Sequence, residues 1–339
     1  MKVLRWLLFP FTILYWVITS TRNYLYDTGI LKSTFYNLPV ICVGNLSVGG
    51  TGKSPMIEYL ILLLKEDFKI AVLSRGYKRK TSGYIEVDVN HSVLQVGDEP
   101  LQIKQNFPDV TVSVCANRRE GIEKLKEKAG IILLDDAFQH RKVKASTNIV
   151  LTSFNDLYTN DFHLPTGNLR ESKNGIKRAS IIVVTKCPEK LSYAKMQEIE
   201  YRLQLKPEQK LYFSKISYDK EIFGVSETLP LEYLKDKDFT LVTGIANPTP
   251  LVEFLKDKEF SFKHEHFPDH HNFSDKEIER LKKNEIIITT EKDFMRLKEP
   301  LRKYALYYLP IKTMILRNQE KVFKETILEE IKNYKSNSL

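Results

Sequence analysis

Residues Val40 to Leu64 read VICVGNLSVGGTGKSPMIEYLILLL. The apolar run Val40 to Val43 enters a glycine-rich loop from Gly44 to Ser54, and Pro55 then opens an apolar stretch with helical spacing. Strand, glycine loop and helix N-terminus in that order form a phosphate-binding unit. Gly49, Gly50, Thr51 and Gly52 let backbone N–H groups curl around phosphate oxygens, and the helix dipole adds positive potential. Lys53 offers charge to the β and γ phosphates, and Ser54 a hydroxyl to Mg²⁺. Pro55 falls in the first helical turn, where its missing N–H costs little. Ser47 takes the place of the first glycine in the pattern G-x-x-x-x-G-K-[ST], so the match is incomplete.

On either side, β-branched runs alternate with amphipathic stretches, the pattern of an α/β sheet. Strands are expected at Pro39 to Val43, Ile70 to Ser74, Tyr84 to Val89, Val110 to Ala116, Ile131 to Leu134, Asn148 to Thr152 and Ser180 to Thr185. Helices are expected at Pro55 to Lys65, Arg118 to Lys128 and Tyr193 to Leu205. This order predicts an α/β fold of the P-loop NTPase type, a mostly parallel sheet with helices on both faces. Periodicity fades over residues 217–238, which read as a linker. A smaller α/β unit, 239–339, follows, with strands at Phe239 to Thr243, Glu285 to Thr290 and Ala305 to Pro310, and helices near Pro250 to Leu255, Asp275 to Lys283 and Val322 to Tyr334. The core unit spans 26–216, and residues 1–25 stand apart as a hydrophobic N-terminal helix.

Within that N-terminal segment, Trp6 to Ile18 reads WLLFPFTILYWVI, uncharged, with Lys2 and Arg5 before it and Arg22 after. It is shorter than the roughly 20 residues that span a bilayer, and it contains Pro10. A cleaved signal peptide and a buried helix are alternatives, but the cleavage pattern is poor, and Trp6, Tyr15, Trp16 and the basic flanks suit a membrane interface. The net charge of +9 favours anionic partners: phosphates, lipid headgroups or nucleic acid. Basic residues are dispersed among acidic ones without an RNA-binding signature, which argues against nucleic acid. The three cysteines, Cys42, Cys115 and Cys187, are far apart in apolar runs, which argues against disulfides and thiolate zinc.

Three further segments carry chemistry. The run Ile131 to Leu134 ends in Asp135-Asp136, where a phosphate-loop protein places the acidic residue that positions its metal. Adjacent carboxylates repel unless a cation lies near, although a solvated turn reads the same way. Gly97-Asp98-Glu99-Pro100 puts two carboxylates in a tight turn, suited to orienting a hydroxyl and accepting its proton, or simply an acidic turn. His264 to His271 holds four of the seven histidines. It lacks thiolates and the H-E-x-x-H spacing, so proton handling or an exposed loop fits better than zinc.

Together these segments resemble the tetraacyldisaccharide 4'-kinases. The resemblance runs from about Leu38 to Asp293 through VGNLSVGGTGKSP (Val43 to Pro55), LSRGY (Leu73 to Tyr77), VGDEP (Val96 to Pro100), LLDDAFQH (Leu133 to His140), LPTGNLRE (Leu164 to Glu171), VTGIANP (Val242 to Pro248), FPDHH (Phe267 to His271) and TTEKD (Thr289 to Asp293). It implies transfer of the ATP γ-phosphate to the 4'-hydroxyl of a tetraacylated glucosamine disaccharide 1-phosphate, forming lipid IVA at the cytoplasmic face of the inner membrane. No protein partner is implied. By the same resemblance, Asp98 is the base, paired with His270; Ser54, Glu99, Asp136 and Gln139 surround Mg²⁺, with Asp135 and Lys53 beside the reaction. Arg75, Asn168 and Arg170 meet the substrate, the guanidinium groups suiting phosphate. Ala137 and Asn168 depart from the glycine and proline expected of the family. A nucleotide-driven switch is the alternative of another class, prompted by Val184-Thr185-Lys186-Cys187-Pro188, which lacks the acidic residue of a guanine-reading motif.

Overall fold

The structure, a computed structural model, describes residues 5–336; Lys2, expected in the basic flank of the N-terminal segment, lies outside the described residues. The chain begins with α1 (Phe9–Asp27), followed by β1 (Val40–Asn45), α2 (Lys53–Leu64), β2 (Ile70–Ser74), β3 (Ile85–Glu86), α3 (Val93–Val96), α4 (Asp98–Asn106), β4 (Thr111–Val114), α5 (Arg118–Leu125), β5 (Ile131–Asp135), β6 (Thr147–Ser153), β7 (Ile181–Thr185), α6 (Tyr193–Leu203) and β8 (Lys210–Tyr218). It continues through β9 (Glu221–Gly224), β10 (Thr228–Pro230), β11 (Phe239–Thr243), α7 (Thr249–Asp257), β12 (Phe262–His266), α8 (Asp275–Leu281), β13 (Ile287–Thr289), α9 (Glu291–Leu297), β14 (Leu306–Tyr308), β15 (Ile311–Ile315) and α10 (Glu320–Ser336).

A nine-stranded sheet has the order β15-β8-β7-β6-β1-β5-β2-β4-β3, antiparallel only at its two edges. β1 lies in its middle, pairing with β5 and β6, so the glycine loop leaves the sheet where strand order reverses, the usual ligand crevice of an open α/β sheet. Both faces are apolar because both are covered: β1, β2, β5 and β7 are buried along their whole lengths. On α2, Met56, Ile57, Leu60, Ile61 and Leu64 form the stripe that packs under the sheet. Fully burying each such side chain is worth roughly 1.5–3 kcal/mol.

The second sheet has the order β10-β9-β14-β13-β11-β12. Its core joins that of the first sheet: Val242, Phe267, Ile287 and Phe294 belong to the same apolar cluster as Met56 and Leu60. Two expectations are corrected here. Residues 217–238 are not a plain linker, because they finish β8, form the β9–β10 hairpin and close with a 3₁₀ turn at Leu231–Leu234. Their strands are short and half-exposed, so the apolar signal is weak, and pairing with β14 supplies what the local sequence lacks. Residues 311–336, counted with the smaller unit, return to the first: β15 pairs with β8, and Phe323, Ile327 and Ile331 of α10 enter its core.

The apolar face of α1 is turned outward. Phe11, Ile13, Leu14, Val17 and Ile18 are exposed, while Thr12, Thr19 and Asn23 are buried against the protein. No helix among the described residues is long and apolar enough to cross a membrane.

Candidate active site

The phosphate loop is tied down at its middle. Asn45 Nδ2 donates to Thr51 Oγ1 (2.9 Å), and Thr185 Oγ1, at the end of β7, donates to the Thr51 carbonyl (2.8 Å). Gly52 caps α2 at φ +87°, a left-handed turn that glycine adopts without strain. Lys53 and Ser54 thus stand in the first turn of α2, with Lys53 Nζ 3.8 Å from Asp136 Oδ1. Gly49 and Gly50 line the exposed rim, and a Cβ built on Gly50 would lie 3.8 Å from Lys186 Nζ. Lys186, a second cation over the loop, was legible only as part of the imperfect guanine motif.

Asp135 ends β5 and is buried. Its Oδ2 accepts from Ser74 Oγ (3.0 Å), and its Oδ1 has no partner. Burial, reinforced by the charges of Glu99 and Asp136, pushes the carboxyl up to about 7. Asp136 follows in a left-handed conformation at φ +46°, uncommon outside glycine but one that aspartate adopts more readily than most residues. Burial pushes against its charge, but Lys53 and Arg170 outweigh that and hold it below the usual carboxylate range, Arg170 Nη1 lying 2.7 Å from Asp136 Oδ1.

Gln139, expected beside the metal, is otherwise engaged: its Nε2 donates to the Asn45 carbonyl (2.8 Å) and Glu171 Oε1 (2.9 Å), and its Oε1 accepts from Arg170 (3.3 Å). Among the described residues, no three His, Cys, Asp or Glu side chains come together to hold a metal ion. Glu171, unassigned by sequence reasoning, is a buried hub that also accepts from Asn23 of α1 and from Arg178. Asn168 binds the phosphate loop through its carbonyl, which accepts from the Val48 N–H (2.8 Å), and Arg5 through its side chain (3.2 Å). Arg75, after β2, is exposed and makes no hydrogen bond or ion pair among the described residues.

Asp98 and His270, 172 positions apart, meet: His270 Nδ1 lies 2.9 Å from Asp98 Oδ2. Asp98 is the first residue of α4, entered through Gly97 at φ +92°, where a Cβ would come within 3.1 Å of the Tyr77 carbonyl. His270 is held at φ +58° by its own N–H, which donates to the Gly244 carbonyl (3.0 Å). The Gly244 N–H in turn donates to the buried Asp293 (2.7 Å). Lys292 Nζ lies 3.0 Å from His270 Nε2 and 3.3 Å from Glu99 Oε1. Arg296 Nη2 reaches both Asp98 Oδ2 and His270 Nδ1. An ammonium at Nε2 and a carboxylate at Nδ1 are both satisfied by one tautomer, with hydrogen on Nδ1. Arg296 therefore serves Asp98, not the ring.

Burial opposes the charge on Asp98, but His270, Lys292 and Arg296 outweigh it and hold the carboxyl below its usual range. All three of these partners reach the carboxylate through Oδ2. Lys292, Asp293 and Arg296 lay within or just beyond TTEKD without a role. Thr290 caps α9 by accepting from the Asp293 N–H, and Lys292 and Arg296, four apart, share a helix face.

A family model described as tetraacyldisaccharide-1-P 4'-kinase (LpxK) matches residues 4–332. A tetraacyldisaccharide 4'-kinase of Flavobacterium johnsoniae is 52% identical over 338 residues, covering 98% of each chain. The tetraacyldisaccharide 4'-kinase of Bacteroides thetaiotaomicron is 42% identical, covering 99% of this chain and 96% of its own. The crystal structure of LpxK from Aquifex aeolicus in complex with ATP superposes with a TM-score of 0.79 at 32% identity, covering 97% of this chain and 99% of its own. Phosphate loop, paired aspartates and the Asp98–His270 contact thus stand in a chain that belongs to the tetraacyldisaccharide-1-P 4'-kinase family.

Proposed function

We propose that this protein transfers the γ-phosphoryl group of ATP to the 4'-hydroxyl of a tetraacylated glucosamine disaccharide 1-phosphate, giving lipid IVA. The observation that carries the chemistry is Asp98, charged, buried and hydrogen-bonded through Oδ2 alone, on the helix whose next residue, Glu99, acts by its charge on Asp135. Phosphoryl transfer asks mainly for positioning and charge stabilisation. Backbone N–H groups from Gly49 to Gly52 and the ammonium of Lys53 hold the phosphates. Asp98 Oδ1 orients the acceptor hydroxyl and takes its proton, steadied by His270 and Arg296. Arg170, paired with Asp136, can meet charge on the transferring group, and exposed Arg75 and half-buried Asn168 are read as further contacts to the substrate. Asp135 Oδ1, buried without a partner, fits a divalent cation that would take its further oxygens from the Ser54 hydroxyl, one neighbouring carboxylate, Glu99 or Asp136, and the nucleotide phosphates. Bound Mg²⁺ would neutralise charge on the β and γ phosphates.

The acceptor is a lipid, and α1 presents an outward apolar face whose neighbours include exposed Trp6 and Phe162, in edge contact at 5.5 Å. That face supports work at a membrane surface, the cytoplasmic face of the inner membrane, with α1 lying in the interface. Purified protein incubated with ATP labelled in the γ position and the disaccharide acceptor should yield labelled lipid. ATP hydrolysis with no labelled lipid would refute the reading and favour the nucleotide-switch alternative.

A further inference from the structure

Two carboxyls outside the reaction centre face each other across the joint between the two sheets. Glu58 lies on α2, one turn beyond Ser54, and Glu291 is the first residue of α9. Between them stands Asn106, the last residue of α4. Its Nδ2 donates to Glu291 Oε1 at 2.5 Å and to Glu58 Oε1 at 3.4 Å, while Gln102 Nε2, also from α4, donates to Glu58 Oε1 at 2.9 Å. Among the described residues no cation pairs with either carboxyl. Tyr308 of β14 is the third titratable group facing them, and their negative charges push its hydroxyl up further after burial.

Two carboxylates, Glu291 buried and Glu58 half-buried, sharing one amide and no cation, cannot both stay charged at low cost, and one proton between them relieves the conflict. Burial raises both above the usual carboxylate range, and the charge of Glu291 adds to the effect on Glu58. The three helices joined here are the ones that carry the site. α2 begins with Lys53 and Ser54, α4 begins with Asp98 and Glu99, and α9 carries Lys292 and Arg296.

We propose that Glu58, Asn106 and Glu291 are positioning residues whose carboxyl–amide–carboxyl junction, holding one proton, sets the spacing between the phosphate loop and the Asp98–His270 pair. The proposal rests on the reading of that pair as the group that orients the acceptor. Loss of the proton leaves two like charges across the joint, which drives α9 and the end of α4 away from α2. The sign follows from the raised pKa values: the junction keeps its proton on the acid side and loses it, with the stability it gives, as pH rises through the carboxyls' folded values.

Hydrogen exchange of the full chain, corrected for intrinsic rates, tests this without reference to any substrate. Between about pH 6 and pH 8.5, amides of residues 291–297 and 103–106 should lose about 10-fold in protection, the equivalent of one unit of coupled acidity. Glu58→Gln, which mimics the protonated acid, should keep protection flat over that range. It should also move the alkaline limb of the kcat/KM profile upward by about one unit, leaving the KM for ATP near its wild-type value at pH 6.5. Unchanged wild-type protection across the range overturns the proposal, as does a Glu58→Gln profile that coincides with wild type. The wild-type measurement decides even if the variant fails to fold. Failure of lipid labelling, by contrast, would sink the kinase reading and leave these exchange results standing.

Discussion

As the proposed base, Asp98 carries two demands that pull against each other. A general base works best with an acidity near the working pH, yet His270, Lys292 and Arg296 hold Asp98 below the usual carboxylate range. In phosphoryl transfer the hydroxyl loses its proton late and needs little driving force, so a charged, aimed acceptor is worth more than a strong base. Asp98→Asn keeps the shape and removes the charge; turnover should fall by roughly 10²-fold or more, with ATP binding retained. His270→Ala should show a loss of the same order, because it removes the ring N–H that, with Arg296, holds Asp98 through Oδ2. Steady-state kinetics beside ATP titration checks both, and near-normal turnover in either variant would remove that residue from the mechanism. Gly97 and Gly244 set these side chains in place, the first by its left-handed turn, the second by linking Asp293 to His270 through its own N–H and carbonyl.

At the scale of elements, α1 is a helix built inside out. Its polar residues face the protein: Thr12 donates to Thr166, Tyr15 to the Arg170 carbonyl, Arg22 to the Gln139 carbonyl and Asn23 to Glu171. The contacted residues flank the site, so the element that presents apolar surface also braces Arg170 and Gln139. Replacing the exposed Phe11, Leu14 and Val17 together by serine should therefore weaken vesicle binding while soluble ATP affinity stays within about 2-fold. Co-sedimentation with anionic vesicles measures it, and unchanged binding would dismiss the anchor. Deleting the helix is a different experiment, because it also removes the hydrogen bonds that brace the site.

Across the whole molecule, two sheets bring the C-terminal ends of their parallel strands to one place. The first supplies the phosphate loop and Asp135-Asp136; the second supplies His270 and, through α9, Lys292 and Arg296. A ligand binding only the folded form stabilises it by RT ln(1 + [L]/Kd), about 2.7 kcal/mol at 100 times Kd. ATP should raise the thermal midpoint of wild type accordingly, and Lys53→Ala should lose most of that shift. An equal shift in the variant would place the nucleotide elsewhere. The chain also closes on itself: β15 and α10 return to the first sheet, where Phe323 meets Tyr212 edge-on and the Tyr334 hydroxyl donates to the Tyr36 carbonyl.

Much of this was readable in the chain itself. The central strands, the phosphate loop and Asp135-Asp136 rest on local signals: an apolar run buried on both faces, glycines where the backbone must turn left, and carboxylates at a strand end. Asp98 and His270 were readable as candidates through family motifs, since nothing local joins residues 172 positions apart. Only the tertiary structure placed Lys292 and Arg296 on Asp98, engaged Gln139 with Asn45 and Glu171, and turned the supposed linker into β9 and β10. It alone set Glu58 against Glu291. The physical reason is the same in each case. Backbone conformation and burial pattern are dictated by neighbours in sequence, whereas charge pairing, register at a sheet edge and proton sharing depend on groups that only folding brings within a few ångströms.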